Sequence, residues 1–133
     1  MLAYGIMGAV FEGTVFSGLG KGAVFIAIDY YKAQIKEKLS FAPYHGTLNI
    51  ITNKNNAAIL EKINPIRIES FKKGGRTYGG ANCYKVIIGA IKGAIIIPDL
   101  TKHEENMVEI IAPVNLKSAL KIKDGDKVKV ELV

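Results

Sequence analysis

The chain has little cysteine, histidine or arginine, and each shortage narrows what it can be. One cysteine, Cys83, in 133 residues excludes an internal disulfide framework. Two histidines scattered along the same chain give poor support to a zinc site. Only Arg67 and Arg76 carry guanidinium groups, so bidentate reading of guanine has few candidates, although the net charge is +6. Long hydrophobic runs are also missing. The stretch from Met1 to Phe11 is too short to span a bilayer and has no basic flank, and "IIIP" ends in proline. With no sign of a membrane span or secretory signal, the expected location is the cytoplasm. No tandem repeat, low-complexity tract or linker divides the chain, so a single domain over 1–133 is expected.

What is present describes a folded protein. Hydrophobic residues make up 49% and charged residues 23% of the chain, a balance that argues against disorder. A domain of this size buries roughly two-thirds of the surface its unfolded form exposes. The lysine-rich excess of positive charge suits a polyanion, whether nucleic acid or a nucleoside triphosphate.

Isoleucine and valine recur in short blocks separated by glycine-bearing turns, which favours sheet. The blocks are "GAVFEGTVF", "GAVFIAI", "TLNII", "PIRIESF", "CYKVIIGA", "GAIIIP", "VEIIAP" and "KVKVELV". Such a series predicts a closed or nearly closed barrel. One main helix is expected from Asp29, whose carboxylate can cap "YYKAQIKEKL" and which places Ile28, Tyr31, Ile35 and Leu39 on one face. A shorter helix is expected around "AAILEKI", stopped by Pro65, and a single turn around "NLKSAL". After an Asp-Gly turn, Val128, Val130 and Leu132 alternate onto the inner face of a strand.

Three segments could carry chemistry. In "SGLGKGA", Gly18, Gly20 and Gly22 permit positive φ and free consecutive amides to face a phosphate, with Lys21 to offset its charge. No helix is expected to follow, so neither P-loop nor dinucleotide-fold grammar applies; a plain hairpin is the competing reading. In "PYHGTLNI", an inward Leu48 would turn Thr47 and Asn49 to the other side of the strand, where two neutral oxygens could share a hard cation. Thr47 as an ordinary sheet former and Asn49 as a surface polar group explain the letters equally well. In "LTKHEENMVEIIAPVNLKSAL", Glu109 opens an apolar strand and could accept a hydrogen bond or a proton from a substrate hydroxyl. Pro113 and "VNLK" then form a corner whose backbone could read a base edge. "KKGGRTYGG" is a basic hairpin tip, and Phe71, Tyr78 and Tyr84 are either stacking platforms or core and rim aromatics. Cys83 is expected to be a small buried hydrophobe.

In their order and spacing, "FEGTVFSGLGKGAVF", "FAPYHGTLNI" and "TKHEENMVEIIAPVNLKSALKIKDGDKVKV" resemble the archaeal riboflavin kinases that take phosphate from CTP. The resemblance implies a mainly β fold: a six-stranded Greek-key cradle-loop barrel with one main helix and short helical turns. The N-terminal helix-turn-helix domain carried by some members is expected to be absent. It further implies transfer of the terminal phosphoryl group of CTP to the primary ribityl hydroxyl of riboflavin, giving FMN and CDP. By the same resemblance, Gly18, Leu19, Gly20, Lys21, Gly22 and Ala23 would wrap the phosphates, and Thr47 and Asn49 would hold magnesium. Thr101 and Glu109 would hold the flavin, with Glu109 the candidate catalytic group, and Val114, Asn115, Leu116 and Lys117 would meet the cytosine nucleotide. Gly46 would give the chain room to turn before them.

Two positions depart from the family pattern. Ala23 and Lys117 stand where it often has arginine, which loses the fork geometry at Lys117 and the charge altogether at Ala23. Riboflavin and CTP are the expected partners, of a protein expected to be a monomer. The competing functions are a small nucleic-acid-binding barrel, since "LKIKDGDKVKVEL" is also similar to swapped-hairpin transcription factors, and a flavin-binding barrel without kinase activity.

Overall fold

The structure, a computed structural model, describes residues 8–18, 21–99 and 106–133, with only the backbone at 21, 22 and 24. Strands β1 (Val10–Phe16), β2 (Leu48–Ile51), β6 (Ala81–Ile88), β7 (Ile91–Pro98), β8 (Met107–Ile111) and β9 (Lys127–Leu132) pair antiparallel in the order β6-β7-β8-β2-β1-β9. The ring closes where β9 returns to β6, with Val86 opposite Leu132 and Ile87 opposite Glu131. This is the closed six-stranded barrel expected, and the β2–β8 and β1–β9 neighbours are its Greek-key crossings. The short β3 (Ile66–Ile68) extends the sheet beyond β6, and β4 (Phe71–Lys73) with β5 (Arg76–Tyr78) forms a separate hairpin. "PIRIESF" thus supplies two strands.

Two apolar cores follow from the alternation along these strands. Phe11, Val15, Leu48, Ile50, Tyr84, Val86, Ile95, Val108, Ile110, Val128, Val130 and Leu132 fill the barrel. A second cluster lies on the outer face, where Ile68, Ala81, Cys83, Ala94, Ile96 and Ile111 are covered by Phe25, Ile26, Tyr31, Ile35 and Leu39. Strands covered on both faces lose the polar half of their alternation, which is why "GAIIIP" reads as a continuous run. Burial of a side chain such as Ile35 contributes about 1.5–3 kcal/mol.

The covering layer corrects the expectation for "GAVFIAI". It is a helix, α1 (Lys21–Ile26), directly after the glycine-rich segment. Its valine and phenylalanine content is strand-like, but Phe25 stacks on Tyr31 with ring centroids 3.7 Å apart, and this packing overrides propensity. The main helix, α2 (Asp29–Leu39), buries Tyr31, Ile35 and Leu39 as expected. Asp29 does not cap it: Ile28 holds the cap position without a side-chain bond, and Asp29 pairs with Lys32 at 3.4 Å within the first turn. Gln34 fastens the helix to the β3–β4 link, accepting from Glu69 N at 2.7 Å and donating to Glu69 O at 3.2 Å.

The shorter helix, α3 (Lys54–Ala58), begins earlier than expected because Asn53 caps it through Asn56 N, and a 3-10 turn, Ile59–Lys62, ends it before Pro65. The turn around "NLKSAL" is α4 (Leu116–Leu120). Among the described residues no helix is long and apolar enough to cross a membrane.

Candidate active site

Strands β2 and β8 carry the centre of the site. Leu48 lies opposite Ile110, and both point into the barrel with 2% and 0% exposure. Side-chain alternation therefore turns Thr47, Asn49 and Glu109 outward together. Asn49 and Glu109 are direct cross-strand partners, and Thr47 Oγ1 donates to Glu109 Oε2 at 2.9 Å. On the other side of β2, Asn49 lies opposite Phe16 of β1, so the chain leaving β1 passes over it. A β-carbon built on Gly18 would fall 2.5 Å from Asn49 Cγ. All three sequence segments thus meet at one place, through Gly18, Thr47 with Asn49, and Glu109.

Two local expectations change. Glu109 sits in the middle of β8 rather than at its start, and it is buried, at 4% exposure, beside the outer apolar cluster through its partner Ile96 on β7. Neither Gly18 nor Gly46 uses left-handed backbone. Gly18 is required by the close approach of Asn49, while at Gly46 an added β-carbon would lie 3.2 Å from Cε2 of the exposed Tyr44 ring, a tight contact.

The corner after Pro113 forms a second part. Val114 is 40% exposed, whereas Leu116 is buried in the barrel core, so Leu116 can offer a ligand only its backbone. Asn115 accepts from Ser118 N at 3.2 Å and donates to Tyr44 Oη at 3.3 Å. A cavity of about 140 Å³ lies between this corner and β2, lined among others by Tyr44, Gly46, Thr47, Ala112, Asn115 and Lys117.

Lys117 Nζ donates to Asp124 Oδ1 at 2.8 Å, and Ser17 Oγ donates to Asp124 Oδ2. These two hydrogen bonds, Lys117 first, hold the Asp124 carboxyl below the usual carboxylate range. Asp124 is put there by the 123–126 turn, which β1 locks through Gly125 N to Val15 O and Val15 N to Asp126 O, both 2.8 Å. The start of the glycine-rich segment and the 114–117 corner are therefore tied through a residue that spacing alone did not reveal. Its only sequence signal was its place in an Asp-Gly turn.

Of the other expected residues, Ala23 is half-buried in α1 and Gly22 is in the same helix. Lys21 opens α1, and Leu19, Gly20 and Thr101 lie outside the described residues. The donor set at Thr47, Asn49 and Glu109 is all oxygen, which suits a hard cation completed by phosphate oxygens. No cluster of three or more histidine, cysteine or acidic side chains occurs among the described residues, so nothing there competes as a softer metal site.

The aromatics of the basic hairpin are not free platforms. Phe71 stacks on Tyr78 at 4.6 Å and meets Tyr30 at 4.4 Å, and Arg76 lies 5.0 Å over the Tyr78 ring. Tyr84 belongs to the barrel core.

Comparison with known proteins points to one family. A family model named for CTP-dependent riboflavin kinases, described as domain of unknown function DUF120, matches residues 15–132. The chain is 45% identical over 124 residues to a riboflavin kinase of Methanosarcina mazei, covering 91% of this chain and 55% of that protein. It is 47% identical over 126 residues to one of Thermococcus kodakarensis, covering 93% and 59%, and 44% identical over 124 residues to one of Pyrobaculum aerophilum, covering 91% and 59%. The chain thus spans somewhat more than half the length of these curated relatives.

Proposed function

The chain belongs to the family of CTP-dependent riboflavin kinase domains, and from that premise we propose that it phosphorylates riboflavin with CTP. The new bond joins the primary ribityl oxygen to the terminal phosphorus of CTP. The bond from that phosphorus to the bridging oxygen breaks, the hydroxyl proton is released, and FMN and CDP leave. The observation that carries this reading is the Thr47–Glu109 hydrogen bond of 2.9 Å beside Asn49 and Gly18, because it joins all three segments in one oxygen-lined site.

Phosphoryl transfer of this kind rests on placement and charge stabilisation more than on covalent help from the protein. Glu109 is the group suited to accept a hydrogen bond from the ribityl hydroxyl and aim it, since burial excludes competing water from its carboxyl group. Thr47 and Asn49 would hold magnesium, which when bound supplies positive charge against the phosphates. Their neutral oxygens leave that charge largely undiminished. Gly18 lets the phosphate-facing segment pass close over Asn49, and Lys117, held by Asp124, keeps a cation at the rim of the cavity. Thr101 remains the candidate second flavin contact.

The test is FMN formation by the purified protein from riboflavin and magnesium with CTP, UTP, ATP and GTP offered separately. Product with CTP strongly preferred is expected. No product with any nucleotide over a broad magnesium range would overturn the reading.

A further inference from the structure

We propose that Tyr44 is the stacking wall for the base of the nucleotide donor, and that its tie to Asn115 sets the slot to the width of a single-ring base. This rests on the kinase reading and adds to it a residue and a physical means of preferring pyrimidine to purine.

Location comes first. The cavity between β2 and the 114–117 corner opens beside Thr47, next to the Asn49–Glu109 pair. A nucleotide with its phosphates at that pair must leave its base within the length of one nucleoside, and this cavity lies within that reach. Leu48, Ile110, Ala112 and Leu116 line its inner side, all at most 4% exposed with their side chains committed to the barrel core, so a ring entering it meets mainly their backbone. Thr47, Asn115 and Lys117 supply polar groups around it.

The ring of Tyr44 is unlike the other surface aromatics. Tyr30, Phe71 and Tyr78 cover one another, and Arg76 lies over Tyr78. Tyr44 is 43% exposed and has no ring contact among the described residues. It is nevertheless held. Its backbone N–H donates to Ala112 O at 2.7 Å, its Oη accepts from Asn115 Nδ2 at 3.3 Å, and its edge lies against Gly46. Asn115 is itself fixed by Ser118 N. An exposed aromatic face fixed by a main-chain bond and a side-chain bond is preorganised for stacking, so binding orders little further.

Size supplies the selectivity. At about 140 Å³ the cavity is well below the ~300–1,000 Å³ of pockets that enclose drug-sized ligands. In this proposal a six-membered ring fills the slot, and a fused purine, needing more width, either projects from its open side with less contact or strains the Asn115 bond.

The test compares wild type, Tyr44→Ala and Tyr44→Phe in steady-state kinetics with CTP and ATP, and in calorimetric binding of CDP and ADP without flavin. Tyr44→Ala is expected to raise KM for CTP and Kd for CDP about tenfold, as loss of base stacking does, with kcat within threefold. Tyr44→Phe keeps the ring and loses the tie, so its KM for CTP stays within threefold while the preference for CTP over ATP falls at least threefold. Tyr44→Ala with KM and Kd within twofold of wild type overturns the stacking role, and Tyr44→Phe with unchanged preference overturns the width role. Wild type that makes no FMN defeats the kinase reading instead. CDP binding then decides Tyr44 by itself: binding that weakens in Tyr44→Ala supports the slot, and failure of wild type to bind CDP overturns it.

Discussion

The side-chain amide of Asn49 occupies the space a β-carbon on Gly18 would need, 2.5 Å from Cγ and 2.6 Å from Oδ1. A methyl group there must move either the amide or the segment leaving β1. Gly18→Ala should therefore act as a lesion of Asn49, raising the magnesium concentration for half-maximal FMN formation at least tenfold, as Asn49→Ala should. Magnesium titrations of both variants check this, and a wild-type magnesium dependence in Gly18→Ala would detach the glycine from the site.

Thr47 and Glu109 form the second test. Thr47→Ser keeps the hydroxyl donor and should retain activity within about threefold, whereas Thr47→Val leaves a buried carboxyl group short of one partner, at a cost of about 1–3 kcal/mol in stability. Urea unfolding and turnover on the same preparations separate the two effects. Glu109→Gln should keep riboflavin binding within about tenfold while turnover falls much further if the group takes the proton. Equal losses in binding and turnover would leave it an orienting role only.

Arg67 grips Asp99 with two parallel bonds of 2.8 Å and also donates to Asn82 at 2.6 Å. The hydrogen bond from Arg67 lowers the carboxyl pKa of Asp99. A lowered folded-state pKa means stability that is fully present above the unfolded value of about 4 and is lost as pH falls through the folded value. Both side chains are 39% exposed, so solvent screening limits the effect to about 1 kcal/mol or less. The urea midpoints of wild type and Asp99→Asn should differ most near neutral pH and converge in acid. A gap independent of pH would mean that the pair adds no pH-linked stability.

Burial in the outer core pushes the Cys83 thiol up to about 12. Native protein at about pH 8 should therefore react with a thiol reagent only through unfolding, at a rate that rises with urea in step with loss of structure. Fast alkylation in the absence of denaturant would show that the layer formed by α1 and α2 opens locally.

The barrel was legible because its strands obey a two-residue period wherever one face is wet, as at Val128, Val130 and Leu132, and because the Thr47–Leu48–Asn49 alternation needs only one buried leucine to orient it. The outer layer was less legible. Nothing local in "GAVFIAI" competes with a strand assignment, and the Phe25–Tyr31 stack that makes it helical depends on a neighbouring helix. In the site, each segment could be recognised by itself. The Thr47–Glu109 and Ser17–Asp124 bonds join residues 62 and 107 positions apart that only tertiary strand pairing brings together, so no spacing rule could show them, while Lys117 and Asp124, seven apart, meet through the turn between them.

Thr47 and Glu109 are 62 positions apart along the chain, and β2 and β8 are neighbours only across the Greek-key crossing. Pairing of such distant partners must wait for the entropy of a long loop to be overcome, which puts all-β topologies on the order of milliseconds to seconds. The oxygen cluster therefore exists only once β2 and β8 have paired. Recovery of ligand binding after dilution from denaturant would time the meeting of the two halves of the chain.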